Sequence, residues 1–131
     1  MRLSDFKALS FDCYGTLIDW ETGVIQALRP LLARHGVAPS NDEIVAAFDN
    51  VERVLATAGA TWRDVVSVNS YHVLPPGAEE IGEAHNDVMI DQFRKRMGER
   101  APIWTETGVT VLGATGMHIE IQVTAIVGSG E

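Results

Sequence analysis

Asp12 closes a short apolar run and stands just before a glycine turn in FDCYGTLIDWETG, residues 11–23, the place where a nucleophilic carboxylate is mounted. The bland alternative is a turn or helix-capping aspartate, a role for which the residue is common. Cys13 has no histidine near it in sequence. His72, His85 and His118 are scattered without the spacing of metal ligands, so each reads as a surface or core histidine and no metal is expected. Glu120 lies on the polar side of a cleanly alternating segment, where a carboxylate is ordinary on a strand and available for water chemistry if a pocket faces it.

The elements that must position these groups follow from periodicity. Lys7 to Phe11 reads as a buried strand entering a turn, and apolar residues from about Thr22 recur at helical spacing until Gly36, with a break implied by Pro30. Ser40, Asn41 and Asp42 are good caps for a second helix, 42–58, whose stripe is Ile44, Phe48, Val51 and Leu55. Val65 to Val73 is rich in β-branched and aromatic residues and predicts a strand. After Pro75-Pro76-Gly77 a third helix is predicted over 78–97, with Ile81, Ala84 and Val88 on one face and Met89, Phe93 and Met97 beside it. Two strands close the chain, 103–112 and 117–127, joined through Gly113-Ala114-Thr115-Gly116. In the last, Met117, Ile119, Ile121, Val123, Ala125 and Val127 share one face, and the glycine-containing tail 128–131 has linker composition.

The 131 residues amount to one domain, 46% hydrophobic and able to bury a core of its own. A formal charge of −8 disfavours phosphate backbones and anionic membranes, so neither nucleic acid nor a membrane is an expected partner. The basic cluster Arg94-Lys95-Arg96 with Arg100 reads as a solvated helix face. One cysteine excludes an internal disulfide, and no apolar stretch has the length of a signal peptide or membrane span; a cytoplasmic protein is the expectation.

Residues 4–40, with ALSFDCYGTLIDWETG followed by ALRPLLARHG, resemble the amino-terminal strand, loop and helix of the haloacid dehalogenase superfamily, in its 2-haloacid dehalogenase branch. The resemblance implies Asp12 as nucleophile, with Thr16 and Leu17 completing the motif and Tyr14 where phosphatases of that superfamily keep a second aspartate. It also implies a lysine and then an acid later in the chain. Lys7 precedes Asp12 and no aspartate follows Lys95, so dehalogenase activity is not expected.

From about Glu43 onward, AFDNVERVLATAGATWRDVVSVNSYHV, HNDVMIDQF, RAPIWTETGVTVL and MHIEIQVTAIV resemble the RidA (YjgF-type) family. This second resemblance implies an α+β, chorismate-mutase-like fold with a mixed sheet, helices on one face and the amino-terminal strand and helix of dehalogenase-like origin. It further implies a homotrimer with small-molecule pockets between subunits and no cofactor, and hydrolysis of enamines and imines to 2-oxo acids. Glu120 matches the family's water-positioning glutamate and Asn86 a pocket asparagine, while Trp104 occupies the position of an arginine that binds the substrate carboxylate. The chain therefore reads as a dehalogenase-like segment, 1–41, on a RidA-like body, 42–131, joined near Asn41 to Ala47 in one compact unit. The functions in view are a RidA-like binding protein with weak or absent deaminase activity, a dehalogenase-like hydrolase using Asp12, and a non-catalytic chimera.

Overall fold

The structure, a computed structural model, describes residues 9–12 and 38–130, with residues 9–12 described by their backbone pairing. The helix expected between Thr22 and Gly36 lies outside the described residues, as does the Cys13 to Gly23 loop.

Helix α1, Asn41–Thr57, starts at the predicted cap. Ser40 and Glu43 close a capping box: the Ser40 hydroxyl accepts the Glu43 N–H at 3.3 Å, and the Glu43 carboxylate accepts the Ser40 N–H at 2.7 Å. The stripe Ile44, Phe48, Val51 and Leu55 is fully buried. A 3-10 turn at Trp62–Asp64 then stacks the Trp62 indole on Phe48, ring centroids 5.0 Å apart, before the chain enters β2, Val65–Val73. Helix α2, Glu83–Met97, returns the chain to β3, Ile103–Val109, which pairs parallel with β2. Strand β4, Ile119–Ala125, pairs antiparallel with the other side of β2, and β1, Leu9–Asp12, pairs antiparallel with β4. The order is β1-β4-β2-β3.

Four differences from the sequence reading have physical causes. Helix α2 begins at residue 83 rather than 78, because Gly82 takes the extended cap conformation (φ −68°, ψ 148°) and a glycine inside a helix costs about 1 kcal/mol. The last two strands are shorter than predicted and are not neighbours; β2 lies between them. The basic cluster is divided: Arg94 and Lys95 are exposed, but the Arg96 side chain is only 8% exposed, held by Asp49 and Glu52 above the Phe48 ring. The tail does not fray through residue 130. Asp64 accepts the Gly130 N–H at 3.0 Å and the Thr61 N–H at 2.8 Å, and Arg100 donates to the Ser129 carbonyl at 2.7 Å. A Cβ on Gly130 would come within 2.8 Å of the Arg63 backbone, so glycine is required for this approach.

The alternation of β2 and β4 puts Val68, Ile121, Val123 and Ala125 under the helices, together with Met89, Phe93 and Met97 of α2. An extra residue in β2 between Val65 and Ser67 resets the register at the sheet's end.

Phe48→Ala and Ile121→Ala are each expected to destabilise by about 2–5 kcal/mol in denaturant unfolding. Asp64→Ala should cost about 1–3 kcal/mol by stranding the donors of Thr61 and Gly130. Burial raises the Asp64 carboxyl, but those N–H groups outweigh burial and hold it below its ordinary value. The folded pKa is the lower one, so its contribution is present above the unfolded value near 3.8 and is lost as pH falls through the folded value. Acid unfolding of Asp64→Ala should lack that component.

Candidate functional site

Strand β2 carries two polar side chains on its helix-facing side. Val68, Ser70 and His72 alternate inward, and both Ser70 and His72 are buried, His72 to 1% exposure. A buried polar group without a hydrogen bond is costly, so these two dictate their neighbours. The parallel register sets Trp104 beside Val68 and Glu106 beside Ser70. The first turn of α2, opened by Gly82, drops His85 and Asn86 onto the same spot.

The result is one connected network. Trp104 Nε1–H donates to Ser70 Oγ at 2.9 Å, and Ser70 Oγ lies 2.8 Å from His72 Nε2. Glu106 Oε1 is 3.3 Å from the same His72 nitrogen. The other nitrogen of that ring, His72 Nδ1, is 2.6 Å from His85 Nε2. Asn86, with its amide nitrogen turned toward Glu106, donates to both carboxylate oxygens at 2.9 and 2.7 Å. The Trp104 ring also packs edge-on against Phe93, centroids 5.2 Å apart.

Burial, and then the neighbouring His85, push His72 down to about 3, so at neutral pH it is an uncharged imidazole, hydrogen-bonded to Ser70 and His85 with the Glu106 carboxylate 3.3 Å away. Burial lowers His85 and raises Glu106. Which His72 nitrogen carries the proton sets the direction of its hydrogen bonds to Ser70 and His85. Among the described residues, His85 Nδ1 has no hydrogen-bond partner.

His72 and His85 line a cavity of about 510 Å³ bounded by Ala38 to Asn41, the Val73 to Ala78 loop and the start of α2. Its described lining contains no lysine or arginine. A second cavity of about 600 Å³ on the other side of that loop has His118 as its titratable group, and His118 is bonded to Glu43 at 2.8 Å. His72, His85 and Glu106 also lie close enough together to suggest a metal. One ligand atom of each lies within 4.8 Å of those of the other two.

Trp104 and Asn86 are thus brought into one network, though neither touches the other. Glu120 sits on the opposite face of the sheet, beside Tyr71 in register, and Asp12 pairs through its backbone with Gln122 on the sheet's edge. The reading of His72 and His85 as unrelated is corrected: the fold makes them partners. Ser70 and Glu106 were not foreseen as site residues. The available signal was the alternation in VVSVNSYHV, which sets Ser70 and His72 on the face of Val68.

Residues 32–127 match the family model described as Endoribonuclease L-PSP. The chain belongs to this RidA/YjgF family. The match begins at residue 32, so residues 32–40, read with the dehalogenase-like segment, fall within the RidA/YjgF span; the dehalogenase likeness of the head rests on its motif alone. RutC family protein YjgH of Escherichia coli (strain K12) is 35% identical over 83 residues, 63% of this chain and 57% of that protein. The chain therefore spans less than two thirds of that relative's length. Among solved structures, the Rid family protein YyfB from Yersinia pestis superposes with a TM-score of 0.54 at 25% identity, covering 64% of this chain and 59% of that one. Protein YJGH superposes at 0.50 and 32% identity, covering 64% and 58%. Yeast Mmf1, at 0.53 and 21% identity over 66% and 62%, shares the RidA-type α+β fold. No helix among the described residues is long and apolar enough to cross a membrane.

His72 is expected to remain unprotonated from pH 8 to pH 5 when its ring signals are followed by NMR. Its folded pKa is the lower one, so its contribution is present above the unfolded value of 6.5 and declines as pH falls toward 3. The limiting slope is about 1.4 kcal/mol per pH unit for one proton. Glu106 runs the other way, stabilising below 4.5 and losing that contribution as pH rises through its raised value. His72→Gln should flatten the acid limb of the stability curve between pH 6.5 and 3.

Proposed function

We propose that this RidA/YjgF protein binds a small uncharged or aromatic molecule in a pocket between subunits, as a homotrimer, with weak or absent enamine/imine deaminase activity. One observation carries the reading. Where the resemblance implies a carboxylate-binding arginine, Trp104 is turned against Phe93 and bonded to Ser70, and the described cavity lining offers no cation in its place. A 2-imino acid brings a carboxylate that needs such a partner, whereas an uncharged ring can lie against apolar wall and neutral imidazole. Asn86 is engaged with Glu106 and serves the ligand by fixing that carboxylate.

The trimer is supported by the face of the sheet away from the helices. It presents Glu120, Gln122 and Thr124 beside Tyr71 and an Ile103 that is 75% exposed, a mixed surface suited to a subunit contact. A water-positioning role for Glu120 depends on that assembly, because within one subunit it is separated from Trp104 by the sheet. The charge of −8 and the lack of a lining cation also disfavour a ribonucleic acid ligand, whatever the family's description says. Asp12 is read as a turn or edge residue.

Imines generated in place by an L-amino-acid oxidase should be converted to 2-oxo acids at little above the spontaneous rate, and strong turnover would overturn the reading. Trp104→Arg should restore little, because its guanidinium would enter the space between Phe93 and Ser70. Light scattering should give three times the 14.2 kDa chain mass, and a monomer at micromolar concentration would remove both the intersubunit pocket and the role of Glu120. Chloride release from 2-chloropropionate is not expected, in the unmodified protein or in Asp12→Asn.

A further inference from the structure

We infer that His72, His85 and Glu106 bind a divalent transition-metal ion, zinc fitting best, at the wall of the 510 Å³ cavity, through one nitrogen of each imidazole and one carboxylate oxygen. The site goes beyond the ligand reading above and needs neither the trimer nor an organic ligand.

The three donors come from three elements: His72 from β2, His85 from the first turn of α2, Glu106 from β3. Their ligand atoms converge to within 4.8 Å of one another. The two histidines stand 13 residues apart in sequence, and the crossover closes that gap. Two donors bound about 2.0–2.1 Å from one tetrahedral ion stand about 3.3 Å from each other. His72 Nε2 and Glu106 Oε1 already have that separation, 3.3 Å. The 2.6 Å between His72 Nδ1 and His85 Nε2 is a hydrogen bond that an ion replaces, the rings parting by about 0.7 Å if those nitrogens are the ligands. His85 has the freedom for this, being half-buried beside the cavity at a helix start whose Gly82 cap has no side chain.

The donor types choose the ion. Two imidazoles with one carboxylate suit zinc and its neighbours, whereas magnesium and calcium take oxygen ligands. Three protein ligands leave a fourth position, and because His72 and His85 line the cavity it opens there, to water or to an oxygen or nitrogen atom of an uncharged molecule. The ligands are held in turn by neighbours, as metal ligands are. Asn86 donates to both oxygens of Glu106, each of which keeps a lone pair for the ion. Ser70 holds His72 Nε2 at 2.8 Å while accepting the Trp104 N–H, which leaves Nδ1 the nitrogen free of the strand network.

The test is calorimetry with zinc alone, on the full chain after chelator treatment and dialysis. Each chain should take up a single ion at micromolar concentration, and magnesium should not compete. Removing a group that only holds a ligand costs about 10–100-fold in affinity, so His85→Gln and Glu106→Gln should each weaken zinc by at least about a hundredfold. Asn86→Ala should weaken it by about tenfold. His118, bonded to Glu43 at the second cavity, is the control: His118→Gln should leave the affinity unchanged, as should Cys13→Ser. Nitrogen-15 imidazole spectra of the unmodified protein make the test independent of how the variants fold. Zinc should shift the ring nitrogens of His72 and His85 and leave those of His118 in place. Cobalt(II) in place of zinc should give the visible absorption of a four-coordinate ion. The site is overturned if zinc does not bind at micromolar concentration, if binding survives both His85→Gln and Glu106→Gln, or if it is lost in Cys13→Ser. It is also overturned if zinc leaves the His72 and His85 signals unmoved. Strong imine turnover, with or without zinc, would sink the uncharged-ligand reading instead and leave the metal site standing.

Discussion

Two polar side chains on the central strand, Ser70 and His72, have to be satisfied in the interior, and most of the site follows from that requirement. Strand β2 is flanked on both sides by paired strands and covered by helices on one face, so water does not reach these groups. Their partners must come from the protein: Trp104 and Glu106 from β3, His85 from the first turn of α2. Among the described residues no buried side-chain nitrogen or oxygen is left without a partner. The polar network is therefore complete and specifies how β3 and α2 sit on β2, where an apolar substitute would tolerate several arrangements.

The parallel pairing of β2 with β3 makes this possible. A parallel neighbour needs a crossover, and α2 is that crossover, so the helix that links the two strands also delivers His85 and Asn86 to the end of them. The five residues by which α2 is shorter than its periodicity suggested are used for the loop that lines the cavity. Had the helix begun at Ala78, His85 would stand in its second turn, away from the opening N-terminus.

Much of the fold was legible because it depends on periods of 3.6 and 2 that a single sequence displays. Ile44, Phe48, Val51 and Leu55, and the inward face of β4, are buried as their spacing requires. The site was less legible. His72 and His85 are 13 residues apart, and Glu106 lies 34 beyond the first, distances set by the crossover rather than by any local repeat. Position 104 could be compared with a family pattern, which pointed to an absent guanidinium, but not to where the indole would turn. The tail misled for another reason: Gly130 has the composition of a linker, yet is glycine because the chain passes too near Arg63 for any side chain.

Trp104, Phe93, Phe48 and Trp62 make an unbroken run of ring contacts from the polar network through the core to the turn before β2, with centroids 5.2, 5.1 and 5.0 Å apart in succession. Chromophores so close and so fixed couple optically. Their near-ultraviolet circular dichroism reports side-chain packing that is lost when specific tertiary contacts loosen. One end of that run carries an indole N–H bonded to Ser70, beside the imidazole of His72. The protein thus has a built-in optical gauge whose two ends sample different things, the proton arrangement of the site at Trp104 and the seating of α1 at Trp62.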